Sequence, residues 1–194
     1  MEKIIVFDFD KTLTNYDTTF PFFLFCCKKN PLRYLFIPIF ILIKLLSKFR
    51  FISVKKEKEI GLILFCPKNY ETFKKTCKEF SKSIKLNDIY YNSFQSTQSQ
   101  PNKKIIIASA SFKDYITPLF PNKEIIASTL RCNNKNLIKG IAKHPYGSEK
   151  ASLLEQFGYN KIKAFYTDSK TDLSTSALSE TTYWVHKGQI THQT

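Results

Sequence analysis

The chain has 194 residues, 43% hydrophobic and 15% aromatic, with a formal charge of +14 at pH 7 and only five glycines. That is enough apolar material for a core in one medium domain or in a small core carrying an insertion, and it excludes wholesale disorder, collagen-like repeats and low complexity. Five cysteines, odd in number and without a C-x-x-C pair, argue against a disulfide framework or a zinc site. No secretory signal precedes the first apolar run, so the expected setting is reducing and cytoplasmic.

The cations are 27 Lys and only three Arg (Arg33, Arg50, Arg131). Sequence-reading nucleic-acid binders lean on Arg forks, so no nucleic-acid partner is expected. The charge is unevenly placed: residues 14–85 hold 15 Lys/Arg against 5 Asp/Glu. That stretch either faces something anionic or is a solvated Lys-rich surface.

In chain order, Lys3 to Asp10 is a continuous apolar run ending in carboxylates, which predicts a buried parallel strand leading into a functional loop. The runs 104–109, 124–128, 163–167 and 182–185 read as four further strands. Helices are expected from Ser111 as cap through Phe120, with Asp114 as capping-box acid, over Gly147–Phe157 closed by Gly158, and after Asp168. Strands alternating with helices predict an α/β fold, a Rossmann-like open parallel sheet wound by right-handed crossovers.

Roughly ninety residues without strand period separate the first two strands, too many for an ordinary crossover. They predict an inserted all-helical cap over residues 14–98, leaving 1–13 and 99–194 as the core. Its helices are expected at Asp17–Lys29, at Pro31–Lys48 with Asn30 as cap, at Val54–Cys66 after Ser53, and at Lys68–Ile84, with a shorter one after Asn87. The polar 95–102 segment reads as the loop back to the core.

Residues 35–46 are apolar around nearly the whole helical circumference. The run falls short of the ~20 residues a membrane span needs and is interrupted by Pro38 and Lys44. Lys28, Lys29, Arg33, Lys48, Arg50, Lys55 and Lys56 flank it, and each would gain about 1 kcal/mol near an anionic headgroup surface. Peripheral docking on an anionic membrane and burial in a small bundle core or dimer contact stand as alternatives.

Asp8 and Asp10, two apart where the first strand ends, emerge on one side of the chain, in the crevice where open α/β sheets bind ligands. The second strand ends in Ser109, a helix start carries Lys150, and the fourth strand ends in Asp168 with Asp172 four residues on. Strand and helix ends thus deliver a carboxylate pair, a hydroxyl, an ammonium and a second carboxylate pair.

In this order the residues resemble the haloacid dehalogenase superfamily of phosphatases. Asp8-Phe9-Asp10-Lys11-Thr12-Leu13-Thr14 matches its D-x-D-x-T opening, Ser109-Ala110-Ser111 its second signature, Lys150 its third, and Asp168-Ser169-x-x-Asp172 its fourth. The insertion is placed as in the phosphoserine-phosphatase-like branch. The aromatic-rich insertion, the YTDSKTD ending and Trp184-Val185-His186-Lys187-Gly188 look similar to the phosphatidylglycerophosphatase C group. Two departures stand out: Thr167 replaces the usual Gly, and Ser174-Thr175-Ser176 an expected Pro-Leu-Leu.

The resemblance implies a Mg²⁺-dependent phosphomonoesterase. Asp8 is then nucleophile and metal ligand, Asp10 general acid/base and a ligand through its carbonyl, with Asp168 and Asp172 completing the metal set. Thr12, Ser109 and Lys150 contact phosphate. Like-charge repulsion explains the cations: a carboxylate approaching a phosphate dianion meets about 4 kcal/mol per unit pair at 4 Å and a dielectric of 20. The D-K-T-x-T run also resembles the phosphorylation motif of ion-pumping ATPases, but the chain lacks their spans. Dehalogenase relatives lack the acid/base Asp10 supplies. Asp17 reads as a substrate contact or as an N-cap. His144, His186 and His192 have no ligand-like spacing and are expected at ordinary surface or strand positions; Phe20, Phe22, Phe23 and Phe25 are expected in packing. The substrate is a phosphomonoester, either a lipid phosphate such as phosphatidylglycerophosphate, suggested by the greasy and basic cap, or a soluble one such as phosphoserine. A non-catalytic scaffold that presents the cap to membranes is the reading from another class.

Overall fold

The computed structural model describes residues 3–98 and 102–194. Seven strands form one sheet: β1 (Lys3–Phe7), β2 (Lys103–Phe112), β3 (Glu124–Cys132), β4 (Ile138–Lys143), β5 (Ala164–Thr167), β6 (Thr182–His186) and β7 (Gln189–Gln193), in the order β4-β3-β2-β1-β5-β6-β7. The central pairings β3–β2, β2–β1, β1–β5 and β5–β6 are parallel, and the edges β4 and β7 are antiparallel hairpin partners of β3 and β6. The α/β class and the five strands read from the sequence agree with this. The two edge strands were not anticipated: β7 is exposed throughout and β4 mixes Lys and Gly into its run, so neither carries an apolar period.

The sheet alternates as a doubly covered one must. Ile5, Phe7, Ile105 and Ile107 join the larger core on one face, while Val6, Ile106 and Ala108 join Leu153, Leu154, Ile162 and Phe165 on the other. The helix over Ser148–Gln156 closes that second face.

Between β1 and β2 lie α1 (Thr19–Lys29), a 3₁₀ turn (Pro31–Phe36), α2 (Ile37–Lys48), α3 (Val54–Phe65), α4 (Tyr70–Ser81), a π-helical turn (Tyr90–Gln95) and α5 (Ser96–Gln98). Ser53 and Asn69 cap α3 and α4, accepting from the N–H groups of Lys56 (3.2 Å) and Thr72 (3.0 Å). The helix expected over 31–48 is broken instead. Pro38 lies in the first turn of α2, where a missing N–H costs nothing, and the chain before it winds as 3₁₀ without a side-chain bond from Asn30. The four helices are not a separate core: Phe22, Phe73 and Phe80 pack on Phe112 and Tyr115, continuous with the sheet face. Helices α1 and α3 approach at Gly61, where a Cβ would stand 2.3 Å from the Phe23 ring.

After β2 come α6 (Lys113–Ile116) with a 3₁₀ turn (Thr117–Leu119), then α7 (Ser148–Gln156), a 3₁₀ turn (Lys170–Asp172) and α8 (Leu173–Ser176). Gly158 ends the α7 segment at φ +87°, its N–H on the Glu155 carbonyl at 2.8 Å, the left-handed closure expected there. The helix expected to start at Ser111 starts two residues later. β2 runs through Phe112, Ser111 caps nothing, and Asp114 accepts instead from the Tyr70 hydroxyl at 2.8 Å.

The apolar α2 region is covered on one stripe only. Phe40 is 1% exposed against Phe20, Phe23 and Phe65. Leu32, Leu35, Ile39, Leu42, Phe49 and Phe51 stand 53–77% exposed along the same segment. A small bundle core therefore accounts for part of this run and leaves an apolar ridge open. Among the described residues no helix is long and apolar enough to cross a membrane.

Candidate active site

The order β3-β2-β1-β5 places the topological switch between β1 and β5, and the carboxyl ends of these strands frame a crevice. Asp8 follows β1 directly, its N–H on the Tyr166 carbonyl at 2.9 Å. The loop after it folds back on itself: Lys11 takes φ +58°, and its N–H meets Thr14 Oγ1 at 3.2 Å. Asn87, buried at the end of the helical segment, donates through Nδ2 to the Thr12 (2.8 Å) and Thr14 (3.1 Å) carbonyls and locks this loop to the returning chain. Nothing in its sequence position marked Asn87 for that task.

A chamber of about 190 Å³ at the strand ends has Asp8, Asp10, Ser109, Lys150, Asp168 and Asp172 in its wall. Six of the residues singled out from the sequence therefore meet at one place, although they come from four separate parts of the chain. Asp17 lies in the same wall, and its Oδ1 accepts the Thr19 N–H at 2.9 Å; the N-cap of α1 is Thr18, one residue later than the cap reading placed it. Thr12 does not line the chamber. It is fully buried beneath the loop, and its Oγ1 has no partner among the described residues.

Lys150 is the pivot. At 3% exposure its ammonium donates to Asp8 Oδ1 at 2.9 Å and to Asp172 Oδ2 at 2.6 Å. The two carboxylates raise its pKa against the opposing effect of burial. Asp172 is held in turn by the Thr167 hydroxyl at 3.0 Å, and the same Oγ1 accepts the Ser169 N–H at 3.1 Å. Thr167 thus makes bonds that a glycine there could not. Polar residues for apolar ones in α8 do the opposite: Thr175 Oγ1 and Ser176 Oγ are buried without partners among the described residues.

Asp10 is positioned through both oxygens. Oδ1 accepts from the Thr18 N–H (2.8 Å) and hydroxyl (2.7 Å), and Oδ2 from the Ser111 hydroxyl. Its carboxyl is pushed up to about 6, by burial first and by Asp17, against Lys58, in the range suited to proton transfer near neutrality. Burial, opposed by Lys150 and reinforced by Asp172 and Asp168, pushes Asp8 up to about 7. Burial also raises Asp168. Ser109 accepts the Ser111 N–H at 3.0 Å, which leaves its own hydroxyl proton free to donate.

Five carboxylates line this chamber, Asp17 among them, and the resemblance implies a cation held by the other four residues, Asp10 through its carbonyl. Among the described residues no three acidic, His or Cys groups are drawn together tightly enough to hold a metal. The Asp10 and Asp172 carboxylates are committed to protein donors, which leaves Asp8 and Asp168 as the carboxylates less tied down.

Two groups escaped the sequence reading. Lys58 of α3 is 7% exposed, donates to the Ala110 carbonyl at 2.7 Å and lines the chamber. Burial pushes its ammonium down, opposed chiefly by Asp17 and Asp10. It was one Lys among many, and no spacing distinguishes a buried one. His144, expected at an ordinary surface or strand position, is instead 3% exposed just past β4. Ser128 gives its proton to the Ala110 carbonyl at 2.6 Å, so its oxygen is the acceptor for His144 Nδ1–H at 2.9 Å. This fixes the Nδ1–H tautomer and leaves Nε2 an acceptor without partner among the described residues.

Burial, with Lys58 and Lys55 adding to it, pushes His144 down to about 3. The unfolded chain then binds a proton that the folded one refuses between about pH 6.5 and 3, so this side chain's contribution to stability is present above that window and lost on acidification. Comparing wild type with His144→Gln isolates the effect, because the buried carboxylates, with raised values and opposite sign, are common to both. Urea midpoints are expected to show the wild type losing about 2 kcal/mol relative to the variant between about pH 6 and 4.5. Parallel pH profiles would refute the buried neutral state.

The fold and this gathering of carboxylates about a lysine define a hydrolase of the haloacid dehalogenase type. The haloacid dehalogenase-like hydrolase family model matches residues 5–176, and the chain belongs to that family. A phosphoserine phosphohydrolase-like protein from Francisella tularensis subsp. tularensis SCHU S4 shares the fold with a TM-score of 0.65 at 21% identity, over 94% of this chain and 86% of its own. A phospho-aspartyl intermediate analogue of phosphoserine phosphatase aligns at TM-score 0.63 and 15% identity over 94% and 86%. Phosphoserine phosphatase from T. onnurineus in complex with NDSB-201 aligns at 0.61 and 17% over 94% and 82%. No curated protein matches the chain.

Proposed function

We propose that the protein is a phosphomonoesterase working through an aspartyl-phosphate, with the helices α1–α4 as a cap over the chamber. The observation that carries this reading is the placement of Lys150 between Asp8 and Asp172 at the mouth of the β1 strand, with Asp10 fixed beside it by Thr18 and Ser111. Lys150 holds Asp8 Oδ1, which leaves Oδ2 to attack phosphorus. The ester P–O bond breaks with its electron pair on the leaving oxygen, and the Asp10 carboxyl supplies the proton. The Asp10 carboxylate then takes a proton from water as that water attacks the phosphoryl group, releasing phosphate and restoring Asp8. Ser109 and Lys150 donate to the phosphoryl oxygens, where charge is spread in the transition state.

The donor set fits Mg²⁺: the chamber offers carboxylate oxygens in excess of its cations, and burial with neighbouring carboxylates already holds Asp8 high. Asp8 and Asp168 would hold the ion with the Asp10 carbonyl, Asp172 orienting Lys150 and the surrounding waters. When bound, the ion neutralises charge between carboxylate and phosphate.

Two observations bear on the leaving group. The exposed apolar ridge beside Lys48, Arg50, Lys55 and Lys56 favours a lipid phosphate, phosphatidylglycerophosphate being one of the right chemistry, met by peripheral contact with an anionic membrane. Asp17 and Lys58, opposite charges in one wall, favour a zwitterionic soluble leaving group such as phosphoserine. A panel of aryl, lipid and amino-acid phosphates, run with Mg²⁺ and with EDTA, decides. Aryl phosphate hydrolysis abolished by EDTA is expected, with lipid phosphates in anionic vesicles turned over faster than phosphoserine. No hydrolysis of any ester with Mg²⁺ would return the protein to a scaffold role.

A further inference from the structure

Beside the reaction chamber lies a second, larger cavity of about 960 Å³. Asp17, Val54, Lys58, Tyr146 and Thr171 belong to the walls of both, so the two adjoin across α3. The rest of the larger wall comes mainly from the end of α2, the 49–53 turn and the start of α3, and it is cationic. Its acidic members, Asp17, Glu57 and Glu149, are outnumbered by Lys44, Lys48, Arg50, Lys55 and Lys58. Glu57 lies 3.8 Å from Lys44, Glu149 accepts the His144 N–H, and Asp17 accepts the Thr19 N–H. Lys48, Arg50 and Lys55 have no acidic partner among the described residues.

Arg50 sits where a helix ordinarily closes with glycine. It takes φ +63°, its N–H bonds the Ser47 carbonyl at 2.9 Å and the Phe51 N–H bonds Leu46 at 3.0 Å. A long cation therefore occupies a backbone position that favours the smallest residue, and it lines the cavity. Three unpaired cations around one concavity repel each other and focus a positive potential into it, a state that a bound anion relieves. A guanidinium fork with two ammoniums exceeds what one carboxylate can use and suits the several oxygens of a phosphate.

We propose that this cavity is a subsite for a second phosphate on the substrate, carried by the leaving group and held by Lys48, Arg50 and Lys55 while the scissile phosphate lies against Lys150 and Ser109. The proposal rests on the phosphatase reading and narrows its substrate class to monoesters whose alcohol bears a further phosphate or phosphodiester. That chemistry comes from either a soluble bisphosphate or a phospholipid headgroup, whose tails would pass Phe51 and Ile52 in the same wall toward the open ridge.

Calorimetry with non-hydrolysable phosphonates tests it without relying on turnover. Butylphosphonate is compared with alkane bisphosphonates of ethane, butane and hexane spacers, and with a dihexanoyl glycerophosphodiester ending in a phosphonate, on the wild type and on Lys48→Gln/Arg50→Gln/Lys55→Gln. At least one two-anion ligand is expected to bind about tenfold tighter than butylphosphonate at low salt. The gain should be lost in the triple variant and near ~1 M salt, where the screening length falls to about 3 Å. Gain confined to the dihexanoyl ligand assigns the subsite to a lipid headgroup, and gain confined to the bisphosphonates to a soluble one. No gain with any spacer, or a gain that survives the triple substitution, overturns the subsite. Ester hydrolysis without two-anion preference would sink the subsite alone, whereas two-anion preference without hydrolysis would sink the phosphatase reading alone.

Discussion

Asp8→Asn is expected to reduce turnover by on the order of 10⁵-fold and to abolish covalent labelling by the substrate phosphate. The amide is nearly the same shape, still within reach of Lys150, but it has no carboxylate oxygen to form the acyl phosphate bond. The measurement pairs steady-state hydrolysis of an aryl phosphate with rapid acid quench and peptide mapping, which locates the phosphoryl group in the wild type. Asp10→Asn should behave differently. Attack on phosphorus remains possible, but the leaving oxygen loses its proton donor and the intermediate its base, so labelled protein should accumulate with good leaving groups. A phosphoryl group mapped to Asp10 instead would exchange the two roles and overturn the mechanism.

The second large effect is expected at Lys150. Its ammonium bonds both Asp8 and Asp172, and all three side chains are at least nine-tenths buried. Removing one member of such a set leaves charge buried and uncompensated, which typically costs about 3–5 kcal/mol. Lys150→Met should therefore lower the urea midpoint strongly in EDTA and reduce turnover by about 10²–10³-fold, the scale of losing one fixed donor to the transition state. Adding Asp172→Asn to Lys150→Met separates the two effects. Part of the stability should return, because the excess negative charge is gone, while turnover should not. Wild-type stability in Lys150→Met would mean that the ammonium does not hold the carboxylates together.

How much of this was readable in advance depends on whether a residue's task is local. Asp8 and Asp10 end an apolar run, and a strand that stops at acids in an α/β pattern points to the crevice at the strand ends. Lys150 near a helix start and Asp168 after a strand follow the same logic. Ser111 went the other way. Followed three residues later by Asp114, it has the local form of a helix cap, but its hydroxyl is taken by Asp10, 101 positions away, and the strand continues past it. Thr12 belongs to the same kind of miss: the motif places it, but only the folded loop puts it beneath the chamber wall instead of in it.

The edge strands and the buried cations were illegible for a related reason. An edge strand pairs on one side only, so β7 needs no apolar alternation to form and shows none. Lys58 belongs to the same run of Lys and Glu as the half-buried Lys55 and the exposed Lys56, and nothing in that run marks it for burial. What distinguishes it is the Ala110 carbonyl that α3 meets on packing against the core.

The sequence by itself determined the α/β class, the order of the central strands' chemistry, the helical segment between the first two, and the apolar and basic character of that segment. These follow from residue spacing and composition, which act over a few positions. The tertiary structure alone decided that Lys150 bridges two carboxylates, that His144 stays neutral, that Lys58 faces the chamber and that three cations share a cavity without acidic partners among the described residues. Burial and ion pairing depend on which distant groups arrive together, and in a chain rich in lysine no local pattern encodes which few will be withdrawn from water.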